Sequence, residues 1–251
     1  MKTTDNTILI TGGATGIGLA LTEVFLRAGN QVLVCGRRKE KLLAAQSNFP
    51  QIQFKVCDVA DAGERQALLE WATANFPHLN VLVNNAGIQR QIDFTKGTKE
   101  LLGGEDEIQI NFSAPIQLAA LFIPHLLKQE EAAIVNVSSG LGFVPLTMLP
   151  VYCATKAAMH SFSWSLRHQL RKTKIKVFEI IPPTVDTELD RGARGQRRQE
   201  YRGISPVEVA EATLSGLAKD EFEIAVGQAQ GLRTGTRQEA EQIFQRMNGN
   251  W

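Results

Sequence analysis

No stretch of about twenty apolar residues occurs in these 251 residues, so nothing reads as a membrane-spanning helix. The longest nearly apolar run, LAALFIPHLL from Leu118 to Leu127, is about half that length and carries a histidine, which suits a buried helix. Cysteine is scarce: Cys35, Cys57 and Cys153 include no CxxC pair, so neither a disulfide framework nor a zinc site is indicated, and the three read as buried, reduced thiols. Histidine is scarce too. His78, His125, His160 and His168 have no acidic or thiol ligand beside them, and no metal is expected. An excess of either charge is also missing. With 27 Lys and Arg against 26 Asp and Glu, the net charge of +1 gives no field for nucleic acid or an anionic membrane. There is no Ser/Pro-rich linker, repeat or low-complexity tract, so residues 1–251 read as a single domain. The start, MKTTDNTILITGG, lacks the basic residues and long apolar core of a signal peptide, and a cytoplasmic protein is expected.

What the chain does have is alternation. Short β-rich runs, TILIT (7–11), QVLVC (31–35), IQFKV (52–56), LNVLV (79–83), AIVNV (133–137), IKVFEI (175–180) and FEIAV (222–226), are separated by longer helical stretches. That order predicts parallel βαβ units. Most runs are nearly continuous in Val, Ile and Leu, as strands covered on both faces should be. The fold class is therefore α/β: a Rossmann-like, doubly wound sheet of about seven parallel strands with helices on both faces. Leu19, Val24, Leu26, Leu68, Leu69 and Ala72 recur at helical spacing and are expected in the core. Ser205-Pro206 reads as the N-cap and first residue of a helix, VEVAEATLSGLA. Segment 187–205, with five arginines and three glycines, is a candidate substrate lid. Its Arg191, Arg194, Arg197, Arg198 and Arg202 either keep a solvated loop soluble or close over an anionic group.

The first run leads into TGGATGIG, residues 11–18, and then into a helical pattern. Glycines at 12, 16 and 18 let the chain turn sharply and let a pyrophosphate approach the helix N-terminus, where free N–H groups and the dipole favour an anion. The candidate contacts are Gly12, Thr15, Gly16, Ile17 and Gly18. About 20 residues on, an NAD site would carry an acidic residue for the ribose hydroxyls. Here stand Gly36, Arg37 and Arg38 instead. Two arginines at a helix start oppose its dipole, and a 2′-phosphate would resolve that conflict, which favours NADP over NAD.

The segment PVYCATKAAMHSFSWSLRHQL, from Pro150, reads as a helix placing Tyr152 and Lys156 one turn apart on one face. Tyrosine ordinarily ionises near pH 10, and a cation within about 4–6 Å favours its anion by about one to three pH units. Such a tyrosine exchanges a proton near neutral pH. Alone, such a pair is more often a surface contact, and NNAG at 84–87 alone a simple turn.

Together, TGGATGIG, NNAG, Asn111, Ser138-Ser139 at the end of a strand, and YCATK occur in the order and at the spacings of the short-chain dehydrogenase/reductases, which the chain resembles from end to end. More narrowly, PVYCATKAAMHSF, LRHQL and YRGIS resemble the DltE-type oxidoreductase branch of that family. The resemblance implies a catalytic serine about thirteen residues before the tyrosine, which selects Ser139 over Ser138. It implies that Ser139 holds the substrate oxygen, that Tyr152 is the general acid in reduction, that Lys156 binds the nicotinamide ribose and lowers the tyrosine pKa, and that Asn111 holds a relay water. It further implies Asp58 and Val59 at the adenine, Asn85, Ala86 and Gly87 along the cofactor cleft, and Val185 and Thr187 near the nicotinamide carboxamide. One departure stands out: Pro182-Pro183 replaces the family's Pro-Gly, so a backbone difference is expected there.

The expected activity is hydride transfer between NADP and a small carbonyl compound or secondary alcohol. The mostly apolar GLGFVPLTMLP between Ser139 and Tyr152 suggests a partly apolar substrate, although loop packing accounts for it equally well. A cofactor-responsive binding or regulatory protein without turnover is the alternative. An epimerase or dehydratase is disfavoured by the short C-terminal region. A homodimer or homotetramer is implied by the resemblance only.

Overall fold

In a computed structural model, which describes residues 1–189, 203–235 and 237–248, the seven β-rich runs become β1 (Thr7–Thr11), β2 (Gln31–Gly36), β3 (Gln53–Val56), β4 (Leu79–Asn84), β5 (Ala132–Val137), β6 (Ile175–Ile181) and β7 (Glu223–Ala225). Each expected strand end lies within one residue of the observed one. All seven pair in parallel, in the order β3-β2-β1-β4-β5-β6-β7. Between them run α1 (Gly16–Arg27), α2 (Lys39–Asn48), α3 (Ala62–Asn75), α4 (Thr98–Leu102), α5 (Ala114–Leu126), α6 (Pro150–Leu170) and α7 (Pro206–Ala218), followed by α8 (Ala229–Thr234) and α9 (Arg237–Asn248). Among the described residues, no helix is long and apolar enough to cross a membrane.

The apolar strands are continuous because both faces are covered. Successive side chains point to opposite faces. Ile8, Ile10, Val32 and Val34 therefore join one core layer with Leu21, Val24 and Phe25 of α1, Leu42 and Ala45 of α2, and Val209 and Leu217 of α7. Leu9, Leu33, Leu82, Ile134 and Val177 join the other with Leu68 and Ala72 of α3, Leu118 and Phe122 of α5, and Leu166 of α6. Leu19, Leu26 and Leu69, expected in the core, are partly buried against these layers. Each fully buried Leu or Phe contributes roughly 1.5–3 kcal/mol. Helix α7 begins as expected: Ser205 Oγ accepts from the Val207 N–H at 3.2 Å, and Glu208 Oε1 accepts from the Ser205 N–H at 3.1 Å. Such a capping box contributes about 1 kcal/mol.

After β1 the chain builds β2 and β3 on one side, then returns to place β4 on the other. That reversal opens a crevice beyond the carboxyl ends of β1 and β4, where sheets of this kind bind ligands. The expected lid falls largely on residues 190–202, which with their five arginines lie outside the described residues.

Candidate active site

The crevice is a cleft of about 400 Å³, and most of the expected site residues line it. At its centre, Gly12 and Gly16 have φ of 65° and 54°, the left-handed region that favours glycine. A Cβ on Gly12 would come within 3.1 Å of Ala86 Cα, and one on Gly16 within 3.1 Å of Thr187 Cγ2. Thr15 and Ile17 line the cleft between them. Helix α1 starts here with no acidic residue in its first turn, so its N–H groups and dipole are not pre-neutralised. A Cβ on Gly18 would lie 2.2 Å from Gly12 O, so Gly18 packs helix against turn and does not line the cleft.

The NNAG turn is strapped to this cradle. Thr11 Oγ1 accepts from the N–H groups of Asn85 and Ala86, both at 3.0 Å, and Asn85 Nδ2 donates to Thr11 O at 2.9 Å. Asn84 Nδ2 donates to Asn136 Oδ1 at 2.9 Å. The two asparagine side chains thus serve the architecture, while the backbone of Asn85, Ala86 and Gly87 forms the cleft wall.

At one end, Arg37 and Arg38 line the cleft just past β2. Arg37 pairs with Glu105, and Arg38 with Glu188 at 2.9 Å. Lys41, one turn into α2 and not anticipated from the sequence, holds Glu188 at 2.8 Å. Hydrogen bonds from Lys41 and Arg38 keep the Glu188 carboxyl below the usual carboxylate range. Arg37, Arg38 and Lys41 thus gather at this end, with Glu105 and Glu188 held in ion pairs. Asp58 and Val59 line the same end. Fully buried Arg65, also unanticipated, clamps Val59 O and Gln117 Oε1 and so shapes that loop from behind.

At the other end, Tyr152 and Lys156 come from the first two turns of α6, which Pro150 opens. Both are buried, and the Lys156 ammonium lies 5.6 Å from the Tyr152 ring centroid. Lys156 Nζ donates to Val137 O at 2.8 Å. Burial pulls the lysine pKa down to about 8, against the opposing pull of the Glu179 carboxylate. The turn at 140–142 lies directly on α6, because Gly142 has no Cβ to strike Lys156 C at 2.9 Å. Ser138 lines the cleft, but its Oγ donates to Ile180 O at 3.3 Å. Ser139, which begins the turn, accepts at Oγ from the Leu141 N–H at 3.1 Å and lies outside the set that lines the cleft. A hydroxyl in that arrangement still has a proton to donate.

Asn111 sits in a π-wound turn, Gln109–Ser113, just before α5. Its side chain is 1% exposed and spans Ile88, accepting from the N–H and donating to the carbonyl, each at 2.8 Å. The Asn111 amide is thus committed to Ile88, with Thr155 Oγ1 a further acceptor at 3.3 Å, and the residue lies outside the set that lines the cleft. Thr187 lines the cleft, whereas the Val185 side chain belongs to the core and its backbone bridges to Ile204. Pro182 lines the cleft floor and accepts at its carbonyl from the Gly140 N–H at 3.0 Å, so the double proline is built into the strand end beside the turn that carries Ser139. All three cysteines are buried, and burial pushes the Cys153 thiol up to about 11, which argues against thiolate chemistry beside Tyr152.

With this geometry in hand, known proteins give a consistent comparison. A family model described as short chain dehydrogenase matches residues 6–198. The uncharacterized oxidoreductase DltE of Bacillus subtilis (strain 168) is 54% identical over 248 residues, 99% of this chain and 98% of that protein. Among solved structures, a short-chain dehydrogenase/reductase from Burkholderia phymatum in complex with NAD has a TM-score of 0.83 at 21% identity, covering 97% of this chain and 96% of that one. A short-chain dehydrogenase from Sphingobium yanoikuyae in complex with NADPH has a TM-score of 0.79 at 27% identity, covering 94% and 95%. These two neighbours share the fold and carry different nicotinamide cofactors.

Proposed function

The chain belongs to the short-chain dehydrogenase/reductase family and to its DltE branch, and on that premise we propose that it transfers a hydride between NADP and a small, partly apolar carbonyl compound or secondary alcohol. The observation that carries this reading is a single cleft with the Tyr152-Lys156 pair at one end and Arg37, Arg38 and Lys41 at the other, joined by a glycine cradle at a helix N-terminus. The cradle fits a pyrophosphate because a side chain at Gly12 or Gly16 would fill it. The three cations fit a 2′-phosphate better than a ribose diol, since a phosphate dianion outbids the exposed carboxylates they now hold.

Once bound, the nicotinamide cofactor supplies the hydride chemistry. The chain's own residues bind, orient and move a proton. Ser139 holds the substrate oxygen through a hydrogen bond from its hydroxyl, and Tyr152 gives the phenolic proton to that oxygen in reduction or takes it back in oxidation. The Lys156 ammonium, held against Val137 O, stabilises the tyrosinate left behind and meets the ribose. Asn111 holds a water that relays the proton onward. Asp58 and Val59 border the adenine, and Thr187 the nicotinamide end. The same reading makes the protein a cytoplasmic homodimer or homotetramer, with Trp164 of α6, 56% exposed, available for such an interface.

The test follows cofactor absorbance while purified protein is mixed with NADPH or NADH and a panel of carbonyl compounds, beside the Tyr152→Phe variant. NADPH-dependent reduction that falls by at least about 100-fold in the variant, with cofactor binding retained, is the expected result. Near wild-type turnover in the variant refutes the mechanism. Cofactor binding with no turnover of any substrate would favour a regulatory protein.

A further inference from the structure

Behind the catalytic pair runs a row of polar side chains in the sheet interior. Asn84, Asn136, Glu179 and Glu223 are successive register partners on β4, β5, β6 and β7. Asn136 stands between Val135 and Val137 and Glu179 between Phe178 and Ile180, and Asn136, Glu179 and Glu223 meet α6 through Ser163, His160 and Trp164. Asn136 Nδ2 donates to Ser163 Oγ at 2.9 Å. Glu223 lies at the sheet margin, where Arg233 at 2.7 Å and Arg167 at 3.4 Å balance its charge. Glu179 is different. It is 0% exposed, its Oε2 lies 2.8 Å from His160 Nδ1, and its Oε1 has no hydrogen-bond partner among the described residues. An apolar residue there would cost nothing in desolvation, so the carboxylate calls for a reason.

Lys156 supplies one. It stands one turn before His160 on α6, one turn after Tyr152, and is buried with a backbone carbonyl as its hydrogen-bond acceptor. We propose, building on the dehydrogenase reading of Tyr152 and Lys156, that Glu179 is a positioning residue of the active site: its buried carboxylate, fixed by His160, is the counter-charge that keeps Lys156 an ammonium beside the tyrosine. Burial alone favours the neutral amine, and Glu179 is the charged group that opposes it. The other charges facing Glu179 are accounted for. Helix α6 brings His160, and Arg167 is turned to Glu223; β7 brings Glu223 itself; α8 brings Arg233, also on Glu223; β5 brings neutral Asn136; and Phe143, after the 140–142 turn, brings a neutral ring edge-on to His160, with centroids 4.6 Å apart. A tyrosinate needs a neighbouring cation, so the effect of Glu179 reaches the proton donor through Lys156.

The chain has only two tyrosines, Tyr152 and Tyr201, so ultraviolet titration of tyrosinate in the ligand-free protein reads the site without a substrate, with Tyr152→Phe identifying the Tyr152 step. In Glu179→Gln that step should move to higher pH by about one pH unit, roughly tenfold less tyrosinate at a given pH, because the lysine gives up its proton first. Glu179→Asp, which keeps the charge, should restore the wild-type midpoint. His160→Phe keeps a ring between Phe143 and Trp164 but strips the carboxylate of the hydrogen bond that fixes it, so the step should move the same way; this variant serves if Glu179→Gln does not fold. An unmoved or lowered step in the folded variants overturns the proposal, as does an Asp variant that shifts like Gln. A step that moves as expected in a protein with no turnover on any carbonyl would leave the counter-charge intact and refute the dehydrogenase reading instead.

Discussion

Replacing Lys156 by methionine should stabilise the folded protein at neutral pH while ending catalysis. The lysine is 5% exposed, and burial takes its pKa from the ordinary 10.5 to about 8. That difference corresponds to roughly 3 kcal/mol of strain on the protonated folded state, at about 1.4 kcal/mol per factor of ten. The unfolded chain binds more protons than the folded one between pH 8 and 10.5. Wild-type stability therefore gains with pH across that window from this group, and the strain is fully present below it. Methionine fills a similar volume and carries no charge, but it leaves Val137 O without the 2.8 Å bond, at a cost of roughly 1–3 kcal/mol. The net expectation is a variant about 1 kcal/mol more stable at pH 7 and about 2 kcal/mol less stable at pH 10.5. Urea unfolding of both proteins across that range measures the difference between them, which cancels the other titrating groups. A gap that stays constant with pH would show that burial does not perturb Lys156, and the electrostatic argument for the site would fail with it.

Arg37→Ala and Arg38→Ala should each weaken NADPH binding by about tenfold to a hundredfold and leave NADH nearly unchanged, since a charge-assisted hydrogen bond contributes roughly 1.5–3 kcal/mol; equal wild-type affinities for the two cofactors, measured by fluorescence titration, would sink the assignment. Gly18→Ala should disturb the cradle itself, because its Cβ would fall 2.2 Å from Gly12 O and 2.5 Å from Asn85 Nδ2. A loss of at least about 1–3 kcal/mol in stability and a marked loss of cofactor affinity are expected; wild-type values for both would show that helix α1 does not pack against the turn as described.

The motifs were legible in the sequence wherever their logic is short-range. A run of Val, Ile and Leu between turn residues can hardly be anything but a strand covered on both faces, which is why all seven were found to within a residue. Tyr152 and Lys156 are tied by one helical turn, and Gly12 and Gly16 by one loop, so spacing alone brought them together. The expected role of Asn111 was legible only as a family motif; that its amide is spent on Ile88 was not. Pro183 in place of the family's glycine gave a warning of altered backbone, and only the folded chain shows the neighbouring Pro182 carbonyl accepting from Gly140.

What the sequence by itself determined is thus the parallel α/β architecture, the glycine cradle and the helix that carries Tyr152 and Lys156, each encoded in patterns a few residues long. Only the tertiary structure decided which charges meet. Arg38 finds Glu188 across 150 positions, Arg37 finds Glu105 across 68, and His160 finds Glu179 across 19. Local propensity sets backbone conformation residue by residue, whereas the partner of a long charged side chain depends on strand order and register, which exist only once the sheet has closed. Glu179 is the sharpest case. It lies in a mostly apolar strand, and its importance depends on α6 laying His160 over that one position of β6, one turn from Lys156.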